Sequence, residues 1–176
     1  MMQAYALNTI VERLGHSPRI IDFSNEGQKT LYRALFPWNS PKNFIKNLIL
    51  LPRKAEILRG YAEYKRFIAD HFNLAGPSVF EMSGLSDDGF DAVIAGSDQV
   101  WNVTIEDGDD AYFLPWVLHA KKVAYAPSFG AKNPSAYADA PERYASYLRG
   151  FDALSVRENN GQRWIKDLIG IDVPVL

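Results

Sequence analysis

From Phe90 to the C-terminus, short apolar runs alternate with helix-like segments, and this rhythm narrows the fold more than any other feature. Ala92–Ala95, Lys122–Ala126 and Ala153–Val156 read as strands. Pro141–Arg149 and Asn159–Ile169 read as helices, the second closed by Gly170. Strands of this kind separated by helices predict an α/β fold with a doubly wound, mostly parallel sheet. Val173–Leu176 reads as the start of another strand, with Pro174 tolerable only near its beginning.

In an open parallel sheet, ligands bind beyond the carboxyl ends of the strands. Three strands run into polar or small residues there: Gly96-Ser97-Asp98-Gln99, Ser128-Phe129-Gly130 and Ser155-Val156-Arg157-Glu158. Their convergence on one edge is the main argument for a site. Gly96 permits close backbone approach, and Ser97, Asp98 and Gln99 supply donors and acceptors for a sugar or phosphate. Helix capping by Ser97 or Asp98, with Trp101 packed beneath, accounts for the same residues about as well. Asp98 is a candidate general base. The turn at Ser128–Gly130 exposes backbone N–H groups that suit an anion, although a plain turn explains it equally. Ser128 lacks the G-x-S-x-G setting of a nucleophile. Arg157 falls between a strand end and a helix start, where guanidinium and helix dipole both favour a phosphate or carboxylate. The competing reading is a surface pair with Glu158 or Asp152.

The N-terminal half is less regular. Met2–Leu14 reads as an amphipathic helix with Ala4, Leu7, Ile10, Val11 and Leu14 on one face and Gly15 as its stop. Pro18–Phe23 reads as a short strand. Pro37, Pro41 and Pro52 punctuate the next stretch, and Ala55–Phe72 reads as a longer helix. Its basic, aromatic face could meet a polyanion or a membrane surface. Because Glu56, Glu63 and Asp70 interleave its cations, an exposed inserted helical hairpin is the better reading.

Composition sets outer bounds. The 176 residues suit one domain with a sizeable core, and 47% hydrophobic with 23% charged residues exclude disorder. A net charge of −2 gives no global attraction to nucleic acid or anionic membranes. The absence of cysteine excludes disulfides, thiolate metal sites and a Cys nucleophile, and suits a reducing cytoplasm. His16, His71 and His119 lack metal-ligand spacing. The best apolar run, Phe44–Leu51, is short, contains Lys46 and is bounded by Lys42, Pro52, Arg53 and Lys54, so it does not span a bilayer. Met2–Leu14 lacks the basic leader of a signal peptide. Asn102-Val103-Thr104 matches a glycosylation sequon and is read as chance.

Taken together, D-A-V-I-A-G-S-D-Q-V-W-N, V-A-Y-A-P-S-F-G and D-A-L-S-V-R-E-N-N-G resemble the polysaccharide pyruvyl transferases. The opening Q-A-Y-A-L-N-T-I-V-E-R-L-G-H is similar to their first helix. The resemblance implies a Rossmann-like domain like the N-terminal half of a GT-B glycosyltransferase fold. It covers most of the chain apart from a variable helical insertion at about 25–80, and implies that residues 1–176 are one partial α/β domain. It implies transfer of pyruvyl from phosphoenolpyruvate to a sugar hydroxyl of a cell-surface or exopolysaccharide, without a cofactor or metal. Carried over, Ser97, Asp98, Gln99, Trp101 and Asn102 belong to the crevice wall, Ser128 and Gly130 to the next turn, and Arg157 and Glu158 to the donor's anionic groups. Expected partners are phosphoenolpyruvate and a glycan or lipid-linked sugar, with no nucleic acid and no transmembrane segment. Homo-oligomers remain open. The expected location is cytoplasmic, including the inner membrane surface. Family members begin with a strand before this first helix and continue into a second domain, so the chain is expected to be an N-terminal piece, inactive alone. The rival expectations are a GT-B glycosyltransferase using a nucleotide-sugar, and a non-catalytic binding or assembly module.

Overall fold

In the computed structural model, which describes residues 2–31, 34–96 and 98–176, contacts fall into two units, Met1–Val79 and Phe80–Leu176. The first unit holds helices α1 (Met2–Arg13), α2 (Glu26–Leu31), α3 (Pro41–Leu50) and α4 (Lys54–His71). α1 stops as read, with Gly15 at φ 89° beyond its end. Its stripe does not behave as expected, because the one buried residue is Asn8 while Ile10 and Leu14 are exposed. α4 has no buried residue, in keeping with an exposed helix. Against α1, the Tyr5 ring meets Phe67 edge-on at 5.7 Å and His71 at 5.6 Å.

The expected strand Pro18–Phe23 shrinks to two parallel bridges, Ile20 with Leu74 and Phe23 with Val79. Ile20 N–H donates to the Asn73 carbonyl and Val79 N–H to that of Asp22, both at 2.8 Å. Between these contacts the partner segment contains Gly76 and Pro77, and proline has no N–H to continue a ladder.

The second unit carries the sheet. β1 (Ala92–Gly96), β2 (Lys121–Tyr125) and β3 (Ala153–Leu154) are parallel in the order β1-β2-β3, with Ile94 opposite Val123 and Ala124 opposite Leu154. α5 (Pro134–Tyr137) and α6 (Pro141–Arg149) lie between β2 and β3, and α7 (Asn159–Ile169) follows. β3 is shorter than the sequence suggests because Val156 changes partner. Its N–H goes to the Pro174 carbonyl at 3.0 Å, and Leu176 N–H returns to the Val156 carbonyl at 2.9 Å. The C-terminal residues therefore do begin a further parallel pairing, at Val156–Val175. Gly96 ends β1 where a Cβ would lie 2.2 Å from the Tyr125 carbonyl oxygen, so no side chain fits without moving β2.

β1 and β2 are joined by an aromatic loop rather than a helix among the described residues. Its 3-10 turn, Asp110–Phe113, is capped by Asp109, whose Oδ1 accepts Ala111 N–H at 2.8 Å. Trp101 from this loop is fully buried. Its indole stacks on Phe113 at 5.1 Å and 8°, tilts against Phe129 at 5.2 Å and meets Phe151 edge-on at 5.6 Å. Its N–H donates to the Tyr112 carbonyl at 3.0 Å. Tyr144 and Leu148 of α6 and Ile165 of α7 complete the same core.

A second anchor precedes β1. Asp87 is buried, and its Oδ2 accepts N–H bonds from Leu118, His119 and Ala120 at 2.9, 2.6 and 2.8 Å. The Ala120 and His119 amides, acting against partial desolvation, lower its pKa from 3.8 to about 2.

Two outcomes follow from this packing. Trp101→Ala should cost about 3–5 kcal/mol in denaturant unfolding, because it empties an aromatic core and strands a carbonyl. For Asp87 the folded pKa lies below the unfolded one, so its contribution is complete above about pH 4 and is lost as pH falls through about 2. Asp87→Asn should lower stability at neutral pH and flatten the loss in an acid titration of the unfolding midpoint. An unchanged acid profile would rule out this role.

Candidate functional site

The carboxyl edge of the sheet is built by hydrogen bonds between the loops that leave its strands. After β1, the Asp98 carbonyl accepts Ser128 N–H at 2.9 Å, and Trp101 N–H donates back to the Ser128 carbonyl at 3.2 Å. After β2, Pro127 accepts Arg157 N–H at 3.3 Å, which ties in the strand end before α7. Asn160 in the first turn of α7 donates from Nδ2 to the Gly130 carbonyl at 3.2 Å. The three strand ends singled out in the sequence therefore do meet.

Two backbone positions on this edge are unusual. Ala126 has φ 48°, a left-handed conformation that costs a non-glycine residue about 1–3 kcal/mol. Ser155 holds it there: its buried Oγ accepts Ala126 N–H at 3.0 Å and donates to the Ala124 carbonyl at 2.8 Å. Gly130 has φ 69°, and a Cβ there would lie 2.6 Å from Asn102 Nδ2, so the turn requires glycine twice over.

The individual site residues divide by exposure. Asp98 and Gln99 are exposed, with Asp98 Oδ1 accepting Gln99 N–H at 2.8 Å. Trp101 and Ser128 are fully buried, and the Ser128 hydroxyl oxygen accepts Gly130 N–H at 2.9 Å, so both shape the edge from beneath. Asn102 is buried too. Its Oδ1 accepts the Thr104 amide and hydroxyl at 3.1 and 2.7 Å, which leaves the sequon side chain enclosed. Arg157 is half-buried and its Nε donates to Glu158 Oε1 at 3.2 Å, the pairing weighed from sequence. Asp152 is engaged elsewhere, accepting Lys122 N–H at 2.8 Å. Glu158 Oε2 is buried with no hydrogen-bond partner among the described residues. Ser97 lies outside the described residues.

α7 starts at Asn159 without an acidic residue in its first turn and without a side-chain cap from Glu158. Its amino end thus presents the positive pole of an 11-residue helix to the edge.

A neighbouring cavity of about 310 Å³ went unread in the sequence. Trp101, Asn102, Asp109, Asp110, Phe113 and Tyr144 line it. Asp110 Oδ2 binds Arg143 Nε at 3.0 Å and accepts the Tyr147 hydroxyl at 3.2 Å, while Arg143 Nη2 donates to the Tyr144 hydroxyl at 3.1 Å. Burial pushes both phenols above their ordinary pKa, so they stay protonated. The only advance sign was Asp109-Asp110 in front of an aromatic run. Asn160 and Ser155 were also missed in these roles, since a side chain bonding a distant backbone group leaves no periodic trace.

The family model described as polysaccharide pyruvyl transferase matches residues 1–176 of the chain. No curated protein and no solved structure matches it.

The buried Ser155 clamp gives a direct check on how the edge is held. Ser155→Ala should lower unfolding stability by about 1–3 kcal/mol, by stranding the Ala126 amide. Amide hydrogen exchange should quicken across Ala126–Gly130 before it does elsewhere in the sheet. Unaltered exchange there would refute the clamp.

Proposed function

The chain belongs to the polysaccharide pyruvyl transferase family, and from that premise we propose that it handles transfer of pyruvyl from phosphoenolpyruvate to sugar hydroxyls of a cell-surface polysaccharide. In the overall reaction two sugar oxygens bond to the enol carbon of the donor. One hydroxyl proton goes to its methylene, which becomes a methyl group; the other leaves with phosphate as the carbon–oxygen bond to phosphate breaks, and a ketal and phosphate result. The donor is anionic at two ends, and the acceptor hydroxyls must lose protons.

The observation that carries this reading is the hydrogen-bonded convergence of Asp98, the Ser128–Gly130 turn and Arg157 beside the start of α7. Arg157 and the helix start suit the donor's phosphate or carboxylate. Asp98, which is exposed, and Glu158, whose Oε2 is unpartnered among the described residues, are the candidates to accept a hydroxyl proton. The adjacent cavity combines carboxylates with aromatic walls, a lining suited to sugar hydroxyls and ring faces, and its volume is at the lower end for small-molecule pockets. A GT-B-like arrangement, with this sheet edge as one crevice wall, is part of the same proposal.

Calorimetric titration with phosphoenolpyruvate and with a nucleotide-sugar is the test. Phosphoenolpyruvate should bind in preference, and Arg157→Ala should weaken it by about tenfold or more. Preference for the nucleotide-sugar, or indifference to Arg157→Ala, would reject the assignment.

A further inference from the structure

Helix α3 faces the wrong way round for a core helix. Its buried residue is Asn47, while Phe44, Ile45, Leu48 and Ile49 are exposed, Ile49 by 71%. The cause is a paired backbone bond: Asn47 Oδ1 accepts Phe36 N–H at 3.1 Å and Nδ2 donates to the Phe36 carbonyl at 2.9 Å. A carboxamide that satisfies both groups of one residue fixes the rotation of the helix about its axis, since turning it would bury unpaired polar atoms. Lys46 adds to this by placing its ammonium 4.5 Å from the Phe36 ring centre. At one end Trp38, 65% exposed, meets Phe44 edge-on at 5.6 Å, and at the other Leu51 is exposed. Such a contiguous apolar patch is more than isolated surface hydrophobes would give.

Charge identifies what covers the patch. From Gly27 to Ala55 the chain holds no Asp or Glu, although the whole chain carries −2. Lys42, Lys46 and Lys54 flank the apolar residues along the chain, and Arg53 beside them pairs with Glu56, its Nε 3.5 Å from Oε2. A second copy docked face to face would set these cations against each other, which is unfavourable. An aromatic and aliphatic face flanked by three lysines, with the nearby Glu56 carboxylate already paired to Arg53, fits the headgroup layer of an anionic bilayer, with Trp38 at the interface and the lysine stems extending outward.

We propose that α3 and its flanks are a peripheral docking surface for anionic lipid. This rests on the inverted helix and its charge, and is independent of the transfer reaction assigned above. The test is co-sedimentation of the full chain with phosphatidylcholine vesicles, with and without phosphatidylglycerol. Binding should require phosphatidylglycerol and fall with added salt. Lys42→Gln and Lys54→Gln should each weaken it by about fivefold. Ile45→Ser with Ile49→Ser should weaken it by about tenfold or more, and both side chains are exposed, so far-UV dichroism should be unchanged. The proposal is overturned by absence of binding to phosphatidylglycerol vesicles, or by binding indifferent to both sets of substitutions. It is equally overturned if the chain is an oligomer that Ile45→Ser with Ile49→Ser dissociates and that never binds vesicles.

Discussion

A buried indole must find a partner for its N–H, and Trp101 finds one in the Tyr112 carbonyl within its own loop. The same residue gives its backbone N–H to Ser128 in the turn after β2. Its ring is enclosed by Phe113, Phe129 and Phe151, so a shift would open voids against several elements at once. This one residue therefore fixes the loop after β1, the 3-10 turn and the turn after β2 relative to each other. The polar groups of Asp98 and Gln99 are carried on that fixed floor. Their exposure is a consequence of the burial of their neighbour.

Strain at the edge is held by polar contacts of the same economy. Ala126 adopts a left-handed conformation just before Pro127, and Pro127 disfavours the helical region for the residue preceding it. The alternative left-handed state persists because Ser155 satisfies the displaced amide from across the sheet. Asn160 then holds the far side of the turn at Gly130. The end of β2 and the turn after it are thus gripped by Ser155, just past β3, and by Asn160 of α7, which lie on either side of Arg157. A site made this way has its backbone shape set before a ligand arrives, which reduces the ordering needed on binding.

Much of the sheet unit was legible because its signals are local. β1, α6 and α7 fall within one residue of where apolar runs, Pro141 and Gly170 place them. The convergence of the three strand ends follows from parallel topology alone. What was hidden depended on long-range polar bonds. Phe44, Ile45, Leu48 and Ile49 have the spacing of a core stripe, and only the Asn47–Phe36 pair turns them outward. Likewise Asn8 displaces the apolar face of α1 as its buried residue, and Gly76-Pro77 cuts short the pairing expected of Pro18–Phe23. Trp101 has polar neighbours in sequence and reads equally as a crevice residue or as packing beneath the loop; aromatics far along the chain enclose it, while it also lines the neighbouring cavity.

The geometry of α3 also limits what kind of membrane contact is physically open to it. At 10 residues it extends about 15 Å, half the hydrocarbon thickness of a bilayer, so it can lie within the interface without crossing. None of the described helices is long and apolar enough to cross. A short face of this kind binds reversibly, and its affinity depends on lipid charge as much as on buried area. That dependence suits the proposed transfer to a polysaccharide precursor, because an acceptor carried on lipid would be concentrated at such a surface and a soluble donor would not. On these two proposals, docking at α3 would set where an acceptor is met, and the sheet edge would set which donor is taken. The two can be separated by substitution because they draw on different residues, Lys42 and Ile45 for one and Arg157 and Glu158 for the other.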